Sequence, residues 1–260
     1  MAERKRIIID AGHGGDEPGA IYNGRMEKDD TLRLALAVGQ DLENAGLDVM
    51  YTRVEDIYQS PMEKARIANR SGADYFISLH RNAMPVPGTA SGVMSLVYED
   101  GGVAGLMGEN INSALERTGF ENLGVIERPG LIVLRRTTMP AVLVEAGFID
   151  NEKDNRLFDE NFNEIAAAIA DGIVETIREE EEAVPEYYQV QVGTFREPEM
   201  ARVLVMELKA QGYPAFMVYQ DGLYKVRAGA FLNVDNAAHM EQELRQNGYT
   251  TMIVREKAVL

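Results

Sequence analysis

Ile7-Ile8-Ile9-Asp10-Ala11-Gly12-His13-Gly14-Gly15 is the stretch on which the reading of the fold turns. Three β-branched residues in succession offer no polar face to solvent, so the run reads as a strand covered on both sides. The glycines that follow suit a tight turn close to a bound group. Comparable apolar runs bounded by turn residues recur at 48–53, 74–80, 92–98 and 141–145. Between them, helical periodicity covers 29–45, 61–70 and 103–117, with Ser60-Pro61 as a cap and first-turn pair. Alternating strands and helices predict an α/β unit: a largely parallel, twisted sheet flanked by helices on both faces. Functional groups in such sheets gather just beyond the carboxyl ends of the strands.

The rest of the composition narrows what the chain can be. Its 260 residues, 45% apolar and 26% charged, allow one or two ordinary globular domains. The absence of cysteine excludes disulfides, thiolate metal ligands and a cysteine nucleophile. No apolar run approaches the roughly 18 residues needed to cross a bilayer, so no membrane insertion is expected. The basic start is followed by only three consecutive isoleucines, too few for a signal peptide. Residues 1–183 carry 18 Lys and Arg against 33 Asp and Glu, whereas residues 184–260 carry 8 against 9. A net charge of −16 argues against binding nucleic acid, which relies on basic groups to neutralise phosphates.

A boundary is expected at Glu179-Glu180-Glu181-Glu182-Ala183-Val184-Pro185-Glu186, where like charges repel and proline disfavours helix before it. The reading is a first domain over 1–178, an acidic linker over 179–186 and a second domain over 187–260. The second domain carries an internal repeat. Tyr188-Gln-Val-Gln-Val-Gly-Thr-Phe195 returns as Tyr224-Lys-Val-Arg-Ala-Gly-Ala-Phe231, an offset of 36 that also relates Leu208 to Leu244 and Tyr213 to Tyr249. Each half reads strand, helix, strand, giving a small α+β domain of βαβ-βαβ order with pseudo-twofold symmetry. Alternation sets Tyr188, Val190 and Val192 beside Tyr224, Val226 and Ala228, and leaves Gln189, Gln191, Lys225 and Arg227 on an open polar face.

The first domain holds the chemistry. His13 and His80, two of only three histidines, end apolar strands; Glu145 ends another and Glu27 opens a helix. Neutral imidazoles with one carboxylate suit a catalytic Zn2+ that keeps a position for water. Zinc lowers the pKa of that water towards 7, and a carboxylate off the metal can carry its proton to a leaving amine. His13, Glu27 and His80 suit the first role and Glu145 the second, although separations of 14, 53 and 65 residues are no local motif. Other motifs fail: no Lys-Ser/Thr follows the glycines, Glu17 occupies the last position of Gly-x-Gly-x-x-Gly, and there is no Gly-x-Ser-x-Gly elbow. His239 is read as a surface residue.

On Ile9-Asp-Ala-Gly-His13-Gly-Gly, Glu27, Ile77-Ser-Leu-His80-x-Asn82-Ala and Pro140-Ala-Val-Leu-Val-Glu145-Ala-Gly-Phe-Ile149, the first domain resembles the zinc-dependent N-acetylmuramoyl-L-alanine amidases of the amidase_3 family. The resemblance implies hydrolysis of the amide between muramic acid and L-alanine in peptidoglycan, with zinc on His13, Glu27 and His80 and Glu145 as catalytic glutamate. Arg81 departs from the small residue many relatives carry there and is expected on the surface. Some relatives carry a helical block over the cleft; the segment 98–133 is too short for one beside a core helix, so no activator protein is expected. The Tyr-x-Val-Gln-Val-Gly-x-Phe opening and the half-domain repeat resemble the SPOR domain, a peptidoglycan-binding module. That resemblance implies glycan contact through Gln191, Gln189, Thr194 and Arg227. The expected place of action is the cell wall, reached outside the cell or on mother-cell lysis. The alternatives are an inactive wall-binding regulator of the same fold and a zinc peptidase acting on stem peptides.

Overall fold

A computed structural model of the chain describes residues 4–183 and 186–257. Contacts divide it into two units, one through Glu180 and one from Glu181. The first contains β1 (Arg6–Ala11), a short hairpin of β2 (Ile21–Tyr22) and β3 (Arg25–Met26), α1 (Glu27–Asn44), β4 (Asp48–Tyr51), α2 (Pro61–Ser71) and β5 (Tyr75–Asn82). There follow β6 (Val93–Val97), α3 (Gly102–Glu116), β7 (Asn122–Glu127), α4 (Ile132–Arg135), β8 (Ala141–Phe148), α5 (Glu152–Glu160) and α6 (Phe162–Ala183). Among the described residues no helix is long and apolar enough to cross a membrane.

The sheet runs β4-β1-β5-β8-β6-β7. β4, β1, β5 and β8 are mutually parallel; β6 meets β8 antiparallel and carries β7 parallel to itself at the edge. Both faces are covered, as the triple isoleucine demands. Ile7 and Ile9 pack with Leu34, Ala35, Val38 and Leu42 of α1 and with the apolar stripe of α6. Ile8, pointing the other way, packs with Phe76, Leu143, Ala68 of α2 and Val133 and Leu134 of α4. Burying one isoleucine side chain contributes roughly 1.5–3 kcal/mol, and all three are fully inaccessible, so this strand anchors the sheet. Ser60 and Glu63 form a reciprocal capping box with Pro61 in the first turn, which fixes where α2 begins.

One strand was not foreseen, and one expectation needs correcting. β7 was not legible, because Gly124 interrupts it and its pairing with β6 shifts register between Val93 and Ser95. The glutamates assigned to a linker continue α6 as far as Ala183, while Val184 and Pro185 lie outside the described residues. Glutamate is a good helix former, consecutive side chains on a helix do not face one another, and Tyr75 Oη hydrogen-bonds Glu180.

The second unit comprises β9 (Glu186–Phe195), α7 (Pro198–Ala210), β10 (Ala215–Gln220), β11 (Leu223–Phe231), α8 (Val234–Gln246) and β12 (Met252–Lys257), in the expected βαβ-βαβ order. Its sheet, β10-β11-β9-β12, is antiparallel throughout. The repeat becomes symmetry in the core, where Val190, Ala201 and Leu208 are buried with their counterparts Val226, Ala237 and Leu244. The helix ends exchange equivalent bonds: Gln211 donates to Tyr249 Oη and Asn247 to Tyr213 Oη, both at 2.7 Å.

Candidate metal centre

Adjacent parallel strands deliver the polar groups to one end of the sheet. In register, Ala11 of β1 lies beside Leu79 of β5, and His80 beside Glu145 of β8. The chain leaves β1 through Gly12 into His13, which adopts the left-handed region at φ 60°. A non-glycine residue held there stores strain, and such residues cluster at working sites. Two glycines let the groups converge. A Cβ on Gly12 would lie 2.4 Å from the His80 ring, and one on Gly19 would lie 2.6 Å from both Glu27 Oε2 and the His13 ring.

The donor atoms of His13, Glu27 and His80 all lie within 4.8 Å of one another. Glu27 Oε1 is 3.0 Å from His13 Nε2 and 2.9 Å from His80 Nδ1, and the two rings meet edge to face. The carboxylate is held from behind: Ala20 N–H donates to Oε2 at 2.9 Å and Arg81 N–H to Oε1 at 3.1 Å. Burial opposes ionisation of Glu27, but hydrogen bonds and charge from His13 and His80 outweigh it and hold the carboxyl well below the usual range. Two imidazole nitrogens and one anionic oxygen converging on one point fit a borderline divalent cation such as zinc.

Glu145 is different. Part of the residue is accessible, yet its Oε2 is buried and unpaired. Burial pushes this carboxyl up to about 7, against the opposing pull of His80. An orphaned buried oxygen beside the trio is costly unless something arrives to use it, which strengthens the fit to a site built for a cation and its water.

Two supporting groups escaped sequence reasoning. Glu17 pairs with His13 Nδ1, leaving Nε2 directed at Glu27. Its position in the glycine loop had served only to rule out a nucleotide motif. Asp10 is fully buried behind the loop and accepts from Thr52 at 2.6 Å and from Lys64 and Ser78 at 2.7 Å. Arg53 then holds the carbonyls of Ala11 and Gly12 at 3.1 and 2.8 Å. Polar residues inside apolar strands were the available signal.

Arg81 is not on the surface. It shares strand parity with Tyr75, Ile77 and Leu79, all in the core beneath α1, and its side chain is wholly buried against Asp30.

On the second sheet the four expected glycan contacts fall into two pairs. Gln191 donates to Thr194 at 3.1 Å on the accessible part of the face. The shift in β9–β11 register between Val226 and Arg227 keeps Thr194 on the same side as Gln191. Arg227, expected to be open, is only 3% exposed. Long neighbours cover it: its guanidinium donates to Gln189 at 3.0 Å, Gln220 at 2.9 Å and Glu256 at 2.8 Å. His239 is exposed.

A mostly parallel sheet with its acidic and imidazole groups gathered at the strand ends is a framework that can carry hydrolytic chemistry. Comparison identifies which kind: the chain belongs to the N-acetylmuramoyl-L-alanine amidase family, whose model matches residues 7–175. A SPOR domain model matches residues 184–255. The chain is 33% identical over 222 residues to the sporulation-specific N-acetylmuramoyl-L-alanine amidase of Bacillus subtilis, covering 83% of this chain and 85% of that one. It is 35% identical, over the same shares, to the N-acetylmuramoyl-L-alanine amidase CwlM of Bacillus licheniformis. Among solved structures, amidase AmiC2 of Nostoc punctiforme superposes with a TM-score of 0.64 at 30% identity, covering 68% of this chain and 99% of that one. The catalytic domain of CwlV from Bacillus (Paenibacillus) polymyxa gives 0.61 at 33% identity, covering 67% and 98%. Membership makes the chain a cell-wall amidase.

Proposed function

We propose that the first unit uses zinc, held by His13, Glu27 and His80, to cleave the amide between the lactyl group of N-acetylmuramic acid and L-alanine of the stem peptide. One observation carries the reading: three donor groups converge while a buried Glu145 oxygen, unpaired among the described residues, stands beside them. Bound zinc would supply acidified water and polarise the scissile carbonyl. Glu145 takes the proton of the attacking water as the oxygen–carbon bond forms, then delivers it to the departing alanine nitrogen as the carbon–nitrogen bond breaks. A carboxyl near 7 suits both duties at neutral pH. Glu17 holds His13 in the tautomer that presents Nε2.

The second unit tethers the enzyme to glycan strands through Gln191 and Thr194, with Gln189 and Arg227 as the scaffold beneath, and so raises the local substrate concentration. The division of labour is 1–178 for catalysis and 187–260 for binding. The enzyme works without an activator, because α3 and β7 fill the segment 98–133 as parts of the fold.

Metal content and mass spectrometry of digested cell wall, for the parent and Glu145→Ala, test this. The parent should hold one zinc per chain and release intact stem peptides with a free L-alanine amine. Glu145→Ala should keep its zinc and lose turnover by at least about 100-fold. Shortened stem peptides would replace the amidase reading with a peptidase; activity appearing only with an added partner protein would overturn the proposal of activator independence.

A further inference from the structure

His80 and Arg81 are neighbours on β5 with opposite surroundings. The Arg81 guanidinium donates from Nη1 to Asp30 Oδ2 at 2.6 Å and from Nη2 to Asn155 Oδ1 at 2.8 Å, and it lies over the Phe158 ring at 4.0 Å. Arg25 Nε meets the same Asp30 oxygen at 2.7 Å, and the rest of its guanidinium makes a two-pronged pair with Asp159 at 2.9 and 2.8 Å. Asp30 lies three residues after Glu27, within the first turn of α1. Arg81 therefore grips that turn twice, through its backbone N–H on the Glu27 carboxylate and through its side chain on Asp30.

A buried ion pair seldom stabilises a fold more than apolar packing would, because both charges must be stripped of water. The return on this one is geometric. We propose that Arg81 is a positioning residue for the metal centre: by clamping Asp30 it locks the first turn of α1 to the end of β5 and sets the Glu27 carboxylate between His13 and His80. The inference rests on the zinc reading above. It gives the chain an outer support for its acidic ligand, as Glu17 supports His13.

Zinc affinity of the full chain, measured by competition with a chromogenic chelator well below the melting temperature, tests the clamp. Arg81→Met and Asp30→Asn should each weaken zinc binding about 10–100-fold. The losses should be clearly less than additive in the double variant, since the two substitutions share the Arg81–Asp30 contact. Arg33→Met, on the same helix but stacked on Phe162, should bind zinc as the parent does. Parent-like affinity in folded Arg81→Met, or losses that add in the double variant, would overturn the proposal. If Arg81→Met fails to fold, Arg81→Lys decides, because it keeps the charge and loses the fork: weakened zinc binding supports the clamp, and unchanged binding sinks it. A parent that takes up no zinc overturns the zinc reading itself; tight zinc in parent and variants alike overturns the clamp alone.

Discussion

The strand ends of the first unit and the open sheet face of the second both gather polar side chains, and they treat them in opposite ways. Around His13 the loop and the Glu27 carboxylate are held from several sides, by Glu17 at the surface and by Ala20, Arg81, Asp10 and Arg53 within. Beside them Glu145 Oε2 is left buried and, among the described residues, unpaired. On the second face most polar groups answer one another, with Gln189, Gln220 and Glu256 around the Arg227 terminal nitrogens and Thr194 beside Gln191, although Arg227 Nε is itself buried without a partner among the described residues. A centre that performs chemistry keeps groups under electrostatic tension and relies on rigid backing to hold them. A face proposed only to bind can pair most of its groups with one another in the free state and exchange those bonds for ligand.

The largest effect should come from breaking the inner support. Asp10→Asn leaves the Lys64 ammonium buried without its anion and should cost about 3–5 kcal/mol in urea unfolding. Restoring neutrality with Lys64→Met in the same chain should recover much of that. Burial opposes ionisation of Asp10, but Lys64, Thr52 and Ser78 prevail and hold it below the ordinary carboxylate range. A depressed folded value means the stabilisation is complete above about pH 4 and lost as pH falls through the lower folded value. The parent should therefore lose stability there more steeply than Asp10→Asn.

The second effect is smaller and sharpens the contrast. Burial lowers the His13 pKa, but Glu27 and Glu17 outweigh it, so the imidazole stays protonated above its ordinary range. Ligation must displace that proton. Zinc affinity should thus fall about tenfold per pH unit once pH drops below the His13 value. Glu17→Gln removes one of the anions, so the fall should begin at a lower pH. Zinc titrations at several pH values check both; an unmoved onset would detach Glu17 from His13.

What could be read in advance follows the same divide. Ile7, Ile8 and Ile9 and the 36-residue repeat are carried by residue type and period, which need no tertiary partner to be visible, whereas the gathering of His13, Glu27 and His80 was expected from strand ends and a family resemblance, not from spacing. Arg81 and Arg227 were misread because a lone arginine is normally solvated, and their partners Asp30 and Glu256 lie 51 and 29 residues away. Strand parity alone could have turned Arg81 inward. Four successive glutamates suggested a spacer, where high helix propensity and the Tyr75–Glu180 bond extend α6 instead.

The smallest effect separates the two halves of the second face. Among the described residues the side chains of Gln191 and Thr194 bond only to each other, apart from the long Met252 sulfur contact of Gln191. Gln191→Ala should leave the unfolding curve unchanged and weaken retention on purified cell wall by about 0.5–1.5 kcal/mol, a few-fold to roughly tenfold. The measurement belongs in a Glu145→Ala background, so that the wall is not digested during binding. Arg227→Met should do the reverse, since a guanidinium bonded to three neighbours beneath the surface serves the sheet before it serves a ligand. It should lower stability and disturb retention only in proportion to the unfolded fraction. Equal losses of retention in both variants, each fully folded, would mean that glycan reaches past the surface pair to the buried guanidinium, whose Nε has no partner among the described residues.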